Sequence, residues 1–167
     1  MTIEDVAARA GVGKSSIYRR WPTKGTLALN AFLEDFLAGQ PPVDNGALED
    51  DLREALTLWS AAVVGTPTGR ALVGLVAEAQ HDQDLAQGWI ERVITPVREQ
   101  HRMMVDRAIE RGEIPAESDV DVIMDLLYGA AYHRLLQGHL VITPGFIELV
   151  ARMVAEGARS GAAIPSH

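Results

Sequence analysis

Apolar residues recur at three- and four-residue steps along most of the chain, and two-residue alternation is nowhere sustained, so the pattern predicts helices and no sheet. Ile3, Val6, Ala7 and Ala10 form the stripe of a short first helix, with Thr2 as its cap and Asp5 in the capping-box position. Gly11-Val12-Gly13 interrupts it. A second helix is expected over 14–21, stopped by Pro22, and Thr23 caps a third that carries Leu27, Leu29, Phe32, Leu33 and Phe36. Gly39-Gln40-Pro41-Pro42 reads as a linker. Beyond it Leu48, Leu52, Ala55, Leu56, Trp59, Ala62 and Val63 mark an amphipathic helix, and Thr66-Pro67 opens another that runs to about Gln80. A long stripe follows from Leu85 to Ala108, in which Pro96 predicts a kink or a split, and Gly112 and Pro115 end it. Ser118 and Asp121 predict a further start, and that helix has apolar residues on a stripe wide enough for two partners. Thr143-Pro144 opens the last helix. The sum is an all-α chain of about eight helices: a short three-helix head over 1–37, and a five-helix body over 38–167.

Composition narrows the class. The chain has 167 residues, 47% of them apolar and 23% charged, the balance of a globular protein with a substantial core. It has no cysteine, which excludes disulfides, thiol nucleophiles and Cys-ligated zinc. No run reaches the length of a membrane span and the N-terminus does not resemble a signal peptide, so no membrane association and a cytoplasmic location are expected. The net charge of −8 disfavours an anionic partner at first sight. The distribution reverses that inference for one end. Residues 1–30 carry Arg9, Lys14, Arg19, Arg20 and Lys24 against Glu4 and Asp5, whereas the remainder holds 10 basic and 21 acidic residues. A basic head on an acidic body points to nucleic acid at the head.

Two short helices joined by a glycine turn are the skeleton of a helix-turn-helix, whose second helix enters the DNA major groove. Here that helix reads Lys14-Ser15-Ser16-Ile17-Tyr18-Arg19-Arg20-Trp21. Ile17 and Trp21 are one turn apart and can pack inward. The remaining face offers cations for phosphates and guanine edges, hydroxyls, and the plane of Tyr18, with Lys24 at the start of the next helix within reach of backbone phosphate.

The stretch TIEDVAARAGVGKSSIYRRWPTKGTL resembles the helix-turn-helix signature of the TetR (tetracycline-repressor-like) transcriptional regulators. The matching elements are Thr2, Ala10-Gly11-Val12, Tyr18, Trp21, Pro22-Thr23-Lys24 and Leu27. GALEDDLREAL, RAIERGEIP and LLYGAAYHRLLQG are similar to one class of regulatory domain in that family. The resemblance implies that Thr2, Lys14, Ser15, Ser16, Tyr18, Arg19 and Lys24 contact DNA, with Arg20 a phosphate contact. It implies a homodimer built by helices near 119–138 and 144–159, a double-stranded palindromic operator, and a cavity in the body for a small-molecule effector that releases the DNA. Gly13 stands where the family usually has a Ser or Thr cap. The family also has an amphipathic helix ahead of Thr2; with the sequence read from Met1 that helix is expected to be missing, by a different start, truncation or real loss, and Ile3, Val6 and Ile17 are expected to lose part of their cover.

Trp59, Trp89, Met103, Met104, Met124 and Tyr128 are candidates to line that cavity, against the alternative of plain core or interface packing, and His101 and His133 are candidates to hydrogen-bond an effector or a partner subunit. Metal binding by His81, Asp82 and Asp84 lacks a second ligand cluster, so no metal and no cofactor are expected. Glu49-Asp50-Asp51 reads as a solvated first turn that complements the helix dipole. No phosphate loop, HExxH or serine elbow is present, so an enzyme is not expected. The leading expectation is a one-component transcriptional repressor. The alternative is a ligand-binding or scaffold dimer that no longer binds DNA because its first helix is missing.

Overall fold

Punctuation residues set most helix ends. The computed structural model describes residues 3–37 and 42–161, so the Thr2 cap and most of the Gly39–Pro42 linker lie outside the described residues. The head comprises α1 (Ile3–Ala10), α2 (Lys14–Arg20) and the first turns of α3 (Lys24–Leu37). The body comprises α4 (Leu48–Val63), α5 (Pro67–Ala79), α6 (Gln83–Trp89), α7 (Thr95–Glu110), α8 (Val120–Gln137) and α9 (Pro144–Arg159). Among the described residues there is no strand. Thr66 and Thr143 cap α5 and α9, each followed by proline in the first turn, as the sequence predicts. The α8 start differs from expectation. Asp119 accepts from the amides of Asp121 and Val122, and Ser118 lies outside the cap.

The long stripe around Pro96 is not one helix. Between α6 and α7, Ile90–Ile94 adopt π geometry, and Pro96 falls in the first turn of α7. A proline ring clashes with the carbonyl four residues earlier. Widening the helix just before it relieves that clash without breaking the helical path, since Trp89, Ile90, Ile94 and Thr95 all keep right-handed helical dihedrals.

Helix α4 is the centre of the body. Leu48, Leu52 and Leu56 are fully buried and Trp59 nearly so, packed by α5, α7, α8 and α9. Its N-terminus has no local side-chain cap. The Leu48 amide donates instead to Glu113, 65 residues away, at 2.8 Å. Burial alone pushes the Glu113 carboxyl upward, but that amide together with Arg111 and Arg159 holds it below the usual carboxylate range. Asp51 corrects the expectation of a solvated acidic turn. It is wholly buried, accepts from the Asn45 amide at 2.5 Å and faces Arg111 at 3.8 Å. The first turn of α4 is therefore closed by tertiary contacts rather than by water.

Two apolar cores result. A small one in the head centres on Ala7 and Ile17, with Val6, Trp21 and Leu27 against them. The large one runs through the body and includes Leu29, Phe32 and Phe36 of α3. Ile17 is only 4% exposed, so this chain's own residues cover it more fully than the sequence led us to expect. Among the described residues no single helix is long and apolar enough to cross a membrane; α4 and α5 together pass that test but meet at 92° and belong to the core.

The α4–α5 corner gives a sharp stability test. A Cβ on Gly69 would lie 1.7 Å from the Val63 carbonyl oxygen, a backbone atom that cannot yield without opening the corner. Gly69→Ala is expected to destabilise the fold by about 2–4 kcal/mol in urea denaturation, within the range of severe backbone and overpacking changes.

Candidate nucleic-acid interface and ligand cavity

The turn between α1 and α2 depends on Gly11. Its φ of +66° is left-handed, and it lets the Val12 amide return to the Ala7 carbonyl at 3.2 Å. Gly13 follows in extended conformation as the start of α2, with no side chain to cap it. Helix α2 then divides its residues by face. Ile17 points into the head core, while Lys14, Ser15, Ser16, Tyr18, Arg19 and Arg20 are exposed. Tyr18 is 44% exposed, and the Arg20 guanidinium lies over the Trp21 ring at 5.1 Å. Lys24, also exposed, begins α3 beside them. Thr23 caps that helix by accepting from the Thr26 amide at 3.1 Å. Lys14 pairs with Glu4 at 3.3 Å in the open, a contact worth little in water and one that phosphate can displace. Thr2 lies outside the described residues. The arrangement is an exposed cationic face backed by a small apolar core, which suits a groove lined by phosphates.

The second feature lies in the body. A cavity of about 360 Å³ sits between α4, the π turn with α7, and α8, and its end wall is Phe36 of α3. Trp59, Tyr128 and Tyr132 present rings to it, with Trp59 and Tyr132 centroids 5.1 Å apart and Trp59 and Tyr128 meeting edge-on at 6.0 Å. His101 Nε2 and the Tyr128 hydroxyl are 3.0 Å apart. Burial, reinforced by the Arg98 charge, lowers the His101 imidazole to about 4, so it is neutral at pH 7. Burial pushes the Tyr132 phenol up to about 12, a hydrogen bond from Trp59 opposing it, and Tyr128 higher still. At the rim Arg98 is held by Asp121 at 2.7 Å and by Asp125.

Residues 42–154 match the family model described as tetracyclin repressor-like, C-terminal domain, and residues 1–31 match that of bacterial regulatory proteins, tetR family. The chain belongs to the TetR family. Among its relatives, an uncharacterized HTH-type transcriptional regulator of Bacillus subtilis, YdeS, is 30% identical over 81% of this chain and 68% of its own length. A DNA-binding transcriptional repressor TetR of Mycobacteroides abscessus is 28% identical over 82% of this chain and 72% of its own. The crystal structure of the TetR family transcription regulator SCO0332 superposes with a TM-score of 0.82 at 33% identity, covering 93% of this chain and 86% of that one. The protein is a DNA-binding transcriptional regulator of helix-turn-helix type, and its relatives belong to a family of regulators rather than enzymes.

Within this TetR-family body, the residues singled out for ligand contact separate. Trp59, His101, Met124 and Tyr128 line the cavity, and exposed Met103 does not. Trp89 and Met104 do not: Trp89 packs on Phe32 at 5.3 Å and Met104 is core. His133 is exposed and meets His139 edge-on at 4.8 Å, away from the cavity. Sequence reasoning missed Phe36 and Tyr132. Tyr132 had a signal, since it follows Tyr128 by one helical turn. Phe36 had none, because only the docking of α3 on the body brings it there. Among the described residues no His, Asp or Glu cluster suits a metal ion, and Asp82 is used as the α6 cap.

The buried imidazole has a stability consequence. An unfolded chain binds a proton near the ordinary value of 6.5, while the folded one resists protonation until about 4. Stability from this site is therefore complete above pH 6.5 and is lost as pH falls toward 4, by an amount on the order of 3 kcal/mol. In paired urea titrations at pH 7 and pH 4.5, His101→Phe should lose less stability on acidification than the parent; equal losses would refute the assignment.

Proposed function

We propose that the protein is a one-component repressor that binds a palindromic operator as a homodimer and releases it when a small molecule occupies the α4–α7–α8 cavity. The observation that carries the reading is the double role of α3. On this single 14-residue helix Leu27 closes the head core and Phe36 walls the cavity, nine residues and about 14 Å apart. Displacing Phe36 tilts the helix that positions α2. The path is reinforced by Arg92 of the π turn, which donates to Asn30 of α3 at 2.7 Å. An effector shifts the DNA-competent population only by its differential affinity for the two head positions, and a wall residue on the moving helix is a direct source of that difference.

Lys14, Ser15, Ser16, Tyr18, Arg19, Arg20 and Lys24 are the proposed DNA-facing set on the described residues, with Thr2 added by the family resemblance alone. The acidic remainder of the chain disfavours wrapping by DNA, so phosphate affinity is confined to the head. The proposed dimer uses the outer faces of α8 and α9. Leu126, Leu149 and Met153 are 57%, 45% and 62% exposed there, and Leu126 and Met153 line an apolar groove of about 480 Å³ together with Ala130, Val150 and Val154. The inner faces of the same helices, through Leu127, Ala151 and Ala155, are already used in the core. That leaves the exposed stripe as the second partner face, of a kind that monomers seldom leave in water.

The decisive experiment is gel retardation by the full chain on DNA flanking its own gene, over a range of salt. Specific, salt-sensitive retardation of a palindrome is expected, and its absence would leave the reading without support. Lys24→Ala should weaken binding to every DNA tested and lower the salt slope by about one unit, whereas Arg19→Ala should relax preference at one base position if it reads a guanine edge. Leu126→Asp with Met153→Asp should convert a dimer to a monomer in light scattering and reduce operator affinity at least tenfold; a dimer that persists places the interface elsewhere.

A further inference from the structure

The shape and charge of the cavity restrict what can fill it, granted the reading of that cavity as the effector site. We infer that its occupant is a neutral, flat aromatic compound bearing one hydroxyl or carbonyl group, the ring seated among Phe36, Trp59 and Tyr132 and the polar group bonded to the Tyr128 hydroxyl. Filled to the density of a protein interior, the cavity holds roughly 15 non-hydrogen atoms, the scale of a substituted bicyclic ring system.

Three observations converge. The first is ring geometry. Trp59 and Tyr132 are inclined at 38° and Trp59 and Tyr128 at 67°, so the lining is a cluster of rings set at different angles, and aromatic rings hold one another both offset-stacked and edge to face. Phe36 closes the end, itself stacked on Phe32 at 4.9 Å, so a ring entering here meets the aromatic series that leads into α3.

The second is charge. Arg98 and Asp125 are the ionic groups on the lining, and they are bonded to each other, with Asp121 as a second acid on Arg98 at 2.7 Å and Arg102 facing Asp121 at 3.8 Å. The cation is therefore already matched by two carboxylates. A ligand carboxylate or ammonium would give up its water without an uncommitted counter-charge to receive it.

The third is the Tyr128–His101 pair. If the phenol donates to Nε2, its oxygen keeps a lone pair for a ligand hydroxyl. If Nε2 donates to the phenol oxygen, the phenolic O–H is left for a ligand carbonyl. In either tautomer one function of Tyr128 is unused within the pair, while the neighbouring rings reward flat apolar surface.

The test is calorimetric titration of the full chain with three probes of similar size: 2-naphthol, 2-naphthoate and decan-1-ol. The first is expected to bind one site per chain at least tenfold more tightly than the anionic and the aliphatic probe. Gly129 lines the cavity and a Cβ there meets nothing within 4 Å, so Gly129→Phe should fill it and weaken 2-naphthol at least tenfold. Tyr128→Phe should weaken 2-naphthol about fivefold or more while leaving naphthalene itself unchanged, a difference that general loss of structure would not produce. Equal binding of the naphthoate or the decanol, or naphthol binding indifferent to both substitutions, overturns the inference. Operator release is scored separately. Naphthol bound in the cavity without release removes the effector role and keeps the ligand class. Release by another compound, blocked by Gly129→Phe, with no naphthol binding does the reverse.

Discussion

Everything distinctive about this molecule passes through α3, because it is one uninterrupted helix that must satisfy two apolar cores at once. Its first turns complete the head around Ala7 and Ile17, and its last turns place Phe32 and Phe36 against Trp89 and the cavity. A helix does not bend readily in its middle without proline, a glycine pair or a bulge, and α3 has only Gly25 near its start. The two ends of α3 are thus held in one fixed relation to each other. The close packing of α3 on α6 serves the same end. A Cβ on Gly25 would come within 3.0 Å of Leu85, and one on Gly88 within 3.3 Å of Leu29, so small residues on both helices let their backbones approach.

The π turn belongs to the same machinery. It joins α6, which packs on α3, to α7, which lines the cavity through Val97 and His101. Val93 and Ile94 from within the turn also face the cavity, and Arg92 reaches Asn30. A widened helical turn is a common site of local adjustment. Placed just before Pro96, it puts a widened turn in the cavity wall and in direct contact with α3.

Charge separation completes the division of labour. The head keeps the cations of its second helix exposed, Lys14 meeting Glu4 in the open, whereas the body commits many of its arginines to defined carboxylates, among them Arg98 with Asp121 and Asp125, Arg111 with Glu113 and Asp51, and Arg159 with Glu49. Those pairs fix loops and helix ends. They leave the surface outside the head with little attraction for a polyanion, so the overall negative charge and a DNA-binding head are compatible.

Local pattern along the chain was enough for the helical class, the cap residues at Thr23, Thr66 and Thr143, the inward face of α2 and the cationic outward one, because each of these rests on interactions within about four residues. The family signature in the head was legible for the same reason: its spacing encodes a local turn. Tertiary structure alone decided the rest. Asp51 reads as a solvated acid until Asn45 and Arg111 enclose it, and the N-terminus of α4 looks uncapped until Glu113 arrives from 65 residues away. Trp59 joins the cavity and Trp89 does not, although both are large residues on amphipathic helices, because local periodicity states which face is apolar but not what that face will meet. The cavity is assembled from four segments far apart in sequence, and its aromatic lining exists only once α3 has been docked across both cores.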